Sequence, residues 1–131
     1  MLLDISGLMC LFDQRDTRHA QATQKYESAT HRLIHNYVFA EFVALAIARR
    51  APVADALRFI QAIHHSNEVK VVWVDSDLHE RAMRLLAERE DKRWTLCDAV
   101  SFTLMRASRI EDALTTDHDF EQAGFVRLLD R

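Results

Sequence analysis

Two glycines and one proline among 131 residues leave this chain almost without the residues that make tight turns. An all-β sandwich needs many such turns, so helix is expected to dominate. Cysteine is scarce as well. Cys10 and Cys97 have no metal-type spacing and sit among apolar neighbours, which reads as two reduced core residues of a cytoplasmic protein rather than a disulfide or a zinc site. No run of ~18 apolar residues occurs, so no segment is expected to span a membrane. An acid at position 4 and the lack of a basic leader argue against a signal peptide. Positive charge is not in excess either. Seventeen Lys and Arg face twenty Asp and Glu, a net charge of −3, unlike a protein that holds nucleic acid by charge alone. A nucleic-acid enzyme stays open, because an acidic site filled by divalent cations becomes locally positive.

What is present suits one soluble domain, residues 1–131, with 49% apolar and 28% charged residues and enough length to bury its own core. Apolar or β-branched runs at 1–4, 31–35, 69–74, 113–116 and 125–129 read as strands. Between them, helical periodicity covers 7–12, 18–29, 37–50, 53–65, 78–89 and 96–109, with a turn or short helix at 120–124. Ser6, Asn36 and Thr95 are the expected N-caps, and Asp98 completes a capping-box variant with Thr95. Pro52 ends the third helix. Strands that alternate with helices, without tight hairpins, imply an α/β domain: a parallel sheet of four to five strands flanked by helices.

Four acids stand where acids are costly. Asp4 closes the first strand and Asp117 ends a later one. Glu41 shares a helical stripe with Val38, Phe42 and Leu45, and Asp98 shares one with Ser101, Phe102 and Met105. Taken singly, Asp98 reads as a dipole-favoured cap and Asp4 as a turn residue. Together they lack a matching set of fixed cations, and buried carboxylates need positive partners. In parallel α/β sheets ligands bind beyond the carboxyl ends of the strands, so Asp4 and Asp117 meet in one crevice if their strands are neighbours. Two Mg²⁺ or Mn²⁺ ions ~3.5–4 Å apart would use about this many carboxylate oxygens, for phosphodiester cleavage by an activated water. Oxygen donors without His or Cys favour these ions over zinc.

These residues resemble a PIN domain, and within it the VapC-type toxin ribonucleases of toxin–antitoxin modules. Leu3-Asp4-Ile5-Ser6-Gly7-Leu8 resembles the family's hydrophobic-Asp-x-Ser-x-Leu opening, although Ile5 stands where a small residue or Thr is common. Asn36-Tyr37-Val38-Phe39-Ala40-Glu41 resembles the segment that supplies a helical Glu. Thr95-Leu96-Cys97-Asp98-Ala99 resembles Ser/Thr-x-x-Asp-Ala. Leu114-Thr115-Thr116-Asp117-His118-Asp119-Phe120, followed by Gly124-Phe125, resembles the closing Thr-x-Asp-x-Asp-Phe segment. The resemblance spans nearly the whole chain. It implies a metal-dependent endoribonuclease with Asp4, Glu41, Asp98 and Asp117 as metal-binding acids, and Asp119 either a fifth ligand or an orienting residue. Ser6 would hydrogen-bond Asp4, and Thr115 or Thr116 would shape the site. RNA as substrate, a homodimer and a cognate antitoxin follow from the same resemblance.

Two other functions fit part of the pattern. A receiver-type phosphoacceptor domain would use Asp4 and Asp75, but it wants paired acids after strand one and a Lys after the last strand, where Arg127 and Arg131 stand instead. A catalytically silent PIN-like binding module would keep the fold without the chemistry. Among the seven histidines no H-E-x-x-H pattern occurs. His31 and His35 read as surface or strand-edge residues, and adjacent His64 and His65 as pointing apart. His118 is either a phosphate contact or a solvent-facing turn residue. Trp73 is expected to pack, and Trp94 to pack or to stack a base. Arg49, Arg50, Arg106 and Arg109 are backbone contacts for RNA or a solvated face.

Overall fold

The computed structural model describes residues 1–130; Arg131, the last residue of the expected domain, lies outside the described residues. In chain order the elements are β1 (Leu2–Leu3), α1 (Ile5–Phe12), α2 (His19–Ser28), β2 (Arg32–His35), α3 (Asn36–Ala48), α4 (Val53–His64), β3 (Val69–Val72), α5 (Ser76–Glu88), α6 (Leu96–Ser108), β4 (Asp112–Leu114), α7 (His118–Gln122) and β5 (Val126–Arg127). The five strands form one parallel sheet in the order β3-β2-β1-β4-β5.

Helices cover both faces of that sheet, which is why the central positions of its inner strands, Leu2-Leu3, Leu33-Ile34 and Ala113-Leu114, are apolar on both faces. Leu2 pairs in register with Leu33 and with Ala113, and these three face the layer built around α6. One residue on, Leu3, Leu114 and Ile34 turn to the opposite layer, where α1 to α4 pack. In α6 residues 97–105 are all buried. Its Phe102 ring lies 5.0 Å from Trp94, 4.9 Å from Phe120 and 5.7 Å from Phe125.

The chain builds β1, β2 and β3 outward in one direction, then returns to place β4 on the other side of β1. The order therefore reverses between β1 and β4, and a crevice opens there beyond their carboxyl ends. Gly7 sets how closely α1 approaches this point. A Cβ at position 7 would lie 1.9 Å from the Leu114 carbonyl oxygen, so the α1 backbone rests directly on β4.

Several boundaries differ from the sequence expectation for identifiable reasons. The first helix starts at Ile5 rather than Gly7, with Asp4 at the N-cap position, so Ser6 lies inside the helix and caps nothing. Asn36 is already helical; its Oδ1 accepts the Val74 N–H at 2.6 Å, which draws residues 73–74 out of the strand expected at 69–74. The fourth strand stops at Leu114 because the Thr115 hydroxyl turns to the Asp4 carboxylate. Asp75, exposed at the end of the edge strand β3, caps α5 by accepting the Leu78 N–H at 2.8 Å. With β2 between β3 and β1, Asp75 does not share the crevice of Asp4, and the receiver-type reading loses its phosphoacceptor. The Thr95–Asp98 capping box is formed in both directions, at 3.1 and 3.0 Å.

Candidate active site

Asp4 is buried at the floor of the crevice, 4% exposed. The Thr115 hydroxyl donates to its Oδ2 at 2.7 Å, and the Ser6 hydroxyl lies 3.3 Å from the same oxygen and 3.0 Å from Thr115 Oγ1. Ser6 Oγ accepts the Thr116 N–H at 2.9 Å, and Thr115 Oγ1 accepts the Asp117 N–H at 2.9 Å. Two hydroxyls thus tie the Asp4 carboxylate to the loop that carries Asp117. Thr116 contributes its backbone to this network, and Thr115 its side chain.

Above that floor, Asp98, Asp117 and Asp119 each bring a carboxylate oxygen within 4.8 Å of the others. Asp98 arrives on the first turn of α6, with Oδ2 held by the Thr95 N–H. Asp117 caps α7, its Oδ1 accepting the Asp119 N–H at 2.9 Å, which fixes both acids of the closing segment on one short turn. Glu41 differs from expectation. It is exposed rather than on the core side, because the buried residues of α3 are Val38, Phe42 and Ala46 and Glu41 lies about 100° round the helix from Phe42. It stands at the rim of the crevice, close enough to Asp98 to be affected by its charge.

Asp4, Asp98, Glu41 and Asp119 have raised proton affinity, from burial first and from neighbouring acids second. Burial, with Asp117 nearby, lifts the Asp4 carboxyl from 3.8 to about 6 against the opposing Thr115 hydrogen bond. Burial, with Asp4 and Asp117 adding to it, lifts Asp98 to about 6. Desolvation and then Asp98 raise Glu41; desolvation and then Asp117 raise Asp119. Buried Cys97 lies in the same negative field, and its thiol is pushed well above its ordinary value, chiefly by burial and then by Glu41, Asp4 and Asp98. Among the described residues no lysine, arginine or histidine forms an ion pair with any of the five acids. A crowded, uncompensated set of hard oxygen donors fits an oxygen-loving divalent cation.

A measurable pH dependence follows. Asp4 and Asp98 titrate near 3.8 in the unfolded chain and near 6 in the folded one. Between those values the folded chain keeps protons that the unfolded chain has released, so stability falls as pH rises from about 4 to about 6 and stays reduced above that. The lowered carboxyls, Asp13, Asp16, Asp91 and Glu121, act below that window, where stability is lost as pH falls. Buried His35, whose pKa is lowered to about 4 in the folded chain, contributes stability that is lost as pH falls through the same window and offsets part of this effect. Metal-free protein is therefore expected to melt only modestly lower at pH 7 than at pH 5. Millimolar Mg²⁺ or Mn²⁺ should raise the melting temperature at pH 7 and have little effect at pH 4.5. A pH 7 melt indifferent to both ions would contradict this account of the site.

Two polar pairs brace the elements that carry Glu41 and Asp98. His35, fully buried rather than at a surface or strand edge, has Nε2 2.8 Å from Ser101 Oγ, which joins the end of β2 to α6. Burial lowers its pKa to about 4, so the ring is neutral. Tyr37, one turn before Glu41, has its hydroxyl 2.7 Å from His79 Nδ1 on α5. Sequence reading missed both pairs, since each joins residues more than forty apart and neither has a spacing motif. Of the two readings of Trp94, packing is the one realised: it is 7% exposed against Phe102. Two further expectations are overturned. Trp73 is 62% exposed and not packed inside. His64 and His65 do not point apart; their rings stack at 4.4 Å.

Residues 1–126 match the PIN domain family, and the chain belongs to it. Within that family it is 33% identical over 132 residues to the 23S rRNA-specific endonuclease VapC20 of two strains of Mycobacterium tuberculosis, covering 98% of this chain and 97% of the relative. The crystal structure of M. tuberculosis VapC20, described as a sarcin-ricin loop cleaving toxin, aligns with a TM-score of 0.88 at 31% identity over 98% of both chains. A toxin-antitoxin complex from Klebsiella pneumoniae shares the fold, with a TM-score of 0.70 at 20% identity over 99% of this chain and 98% of that one.

Proposed function

We propose that this chain is a Mg²⁺- or Mn²⁺-dependent endoribonuclease, the toxin of a toxin–antitoxin module, that cleaves structured ribosomal RNA of the kind named for VapC20. The observation that carries this reading is the five-acid crevice at the switch point of the sheet, with Asp98, Asp117 and Asp119 sharing oxygens within 4.8 Å. Full-length relatedness to a ribosomal RNA endonuclease supports the substrate class. A homodimer, a cognate antitoxin and a cytoplasmic setting belong to the same reading. Among the described residues no helix is long and apolar enough to cross a membrane.

Asp4, Asp98, Asp117 and Asp119 would hold the cation, with Glu41 completing the set from the rim. A divalent cation bound there supplies Lewis acidity toward a water and a phosphate oxygen. The chain's own contribution is positioning. Thr115 and Ser6 hold the Asp4 carboxylate in one orientation, and the Thr95 N–H holds that of Asp98. Glu41, exposed at the rim, would accept a proton from the attacking water on a carboxylate oxygen where it does not ligate the cation.

The test is incubation of purified protein with intact ribosomal RNA and with a mixed single-stranded RNA pool, with Mg²⁺, Mn²⁺ or EDTA. Discrete products with either ion and none with EDTA are expected. Cutting that EDTA leaves unchanged would overturn the metal role. RNA binding without cutting under every condition would assign the chain to the catalytically silent class.

A further inference from the structure

Trp73 is the most exposed of the large hydrophobic side chains, and nothing in the carboxylate crevice accounts for it. It follows β3 directly. Val72 pairs in register with His35, and the Val74 N–H bonds Asn36 Oδ1, so Trp73 sits at the carboxyl end of the sheet, level with the start of α3. It does not stand alone. The His64 ring, at the end of α4, meets it edge-on at 5.7 Å, stacks on His65 at 4.4 Å and lies 5.1 Å from Phe39 on the first turn of α3. The indole is therefore held in place by aromatic neighbours while most of its surface faces solvent.

The cluster lies beside the acidic crevice. Phe39 and Glu41 are separated by about 200° of helix rotation, so the aromatic cluster and the carboxylates flank the first turns of α3 from opposite sides. A helix width, roughly 10–12 Å, separates them, a span that a few nucleotides of single strand can cover. The other large apolar side chains exposed on this helix pair, Ile47, Val53 and Leu57, are at its far end. Trp73 is thus an isolated aromatic surface rather than part of the broad apolar face that a protein partner covers. A flat, braced, solvent-facing ring next to a phosphodiester site matches the face of an unpaired base, which stacks on aromatics whatever its identity. Bases inside a duplex are already stacked and offer no such face.

We propose that Trp73, braced by His64 and His65, is a stacking platform for an unpaired base of the RNA, flanking the phosphodiester that the acidic crevice cleaves. This rests on the reading of RNA as substrate and adds where the strand is gripped. The test uses the chain's own optics. Of its two tryptophans Trp94 is buried, so fluorescence that solvent-borne quenchers can reach belongs to Trp73. The whole protein is titrated with a short single-stranded RNA, and with the matching duplex, in Ca²⁺ to neutralise the crevice. Binding and cleavage constants are then compared for wild type, Trp73→Ala and Trp73→Phe.

Single strands should quench the exposed fluorescence and the duplex should not. Trp73→Ala should bind single strands about ten-fold more weakly and raise KM with kcat little changed, and Trp73→Phe should recover most of the loss. The platform is overturned if duplex quenches as well as single strand, if Trp73→Ala binds normally, or if Trp73→Phe is no better than Trp73→Ala. It is also overturned if Trp73→Ala turns a dimer into a monomer in sedimentation while RNA leaves the fluorescence unchanged, which would give this face to a second copy of the chain. Because binding is read without cleavage, a chain that never cuts RNA can still pass or fail this test. A platform that fails leaves the Mg²⁺ cleavage assay to stand by itself.

Discussion

An Asp4→Asn protein is expected to melt at a higher temperature than the wild type at pH 7 without metal, and yet to cleave RNA about a thousand-fold more slowly. The two effects have one cause. Asp4 is buried, its carboxyl is held near 6 rather than 3.8, and two neighbouring acids repel it. The ionised form at pH 7 therefore costs on the order of 3 kcal/mol. An amide removes that penalty and keeps an oxygen for the Thr115 and Ser6 hydroxyls. On the proposed function it also removes a charge that the cation would need. Asp98→Asn should behave alike, because an Asn oxygen can still accept the Thr95 N–H and preserve the cap. Paired thermal melts and cleavage rates, with and without Mg²⁺, decide the matter. A variant that loses both stability and activity would show these acids to be structural, and one that keeps its activity would remove them from the site.

Gly7→Ala is expected to be among the most damaging single methyl additions in the chain. In an open helix the change would gain up to ~1 kcal/mol from propensity. Here the added Cβ would lie 1.9 Å from the Leu114 oxygen and 2.6 Å from its carbonyl carbon, both backbone atoms in a paired strand. Neither α1 nor β4 can yield without disturbing the centre of the sheet, so a net loss of about 3 kcal/mol is expected, a drop of roughly 10 °C in melting temperature. Because Thr115 follows Leu114, the Asp4 carboxylate would lose its anchor and cleavage would fall with stability. Gly124→Ala is the control: its φ of 96° disfavours alanine, but no atom lies within 4 Å, and a loss of only about 1 kcal/mol is expected. Equal melting temperatures for the two variants would contradict the close contact of α1 with β4.

Much of this architecture is legible in the residues themselves. The continuous apolar runs around Leu2, Ile34 and Leu114 mark strands buried on both faces, and Thr95 with Asp98 marks the start of α6 at its true place. The acids share one site because β1 and β4 are neighbours, which the alternation of elements allows but does not require. Where the reading went astray, a partner distant in the chain decided the outcome. Periodicity put Glu41 on the stripe of Val38 and Phe42, yet the stripe's edge faces open crevice. Asn36 looked like a cap until Val74 took its carbonyl. His35, Trp73 and the His64–His65 stack have no local signature, since their environments are made by α6, α3 and α4 passing by.

The bonds that close the crevice join Asp4 and Ser6 to Thr115 across 111 and 109 residues. Few contacts in a chain of this size span more sequence, and closing so long a loop carries a large entropic cost that slows their formation. During synthesis the amino-terminal half can collapse onto β1 and β2 as it emerges, but β4 and the Asp117 turn follow β1 by more than a hundred residues. A nascent or prematurely terminated polypeptide thus carries Asp4, Glu41 and even Asp98 without an assembled centre. On the proposed function, then, a polypeptide interrupted before the Asp117 turn is expected to leave the RNA around it uncut.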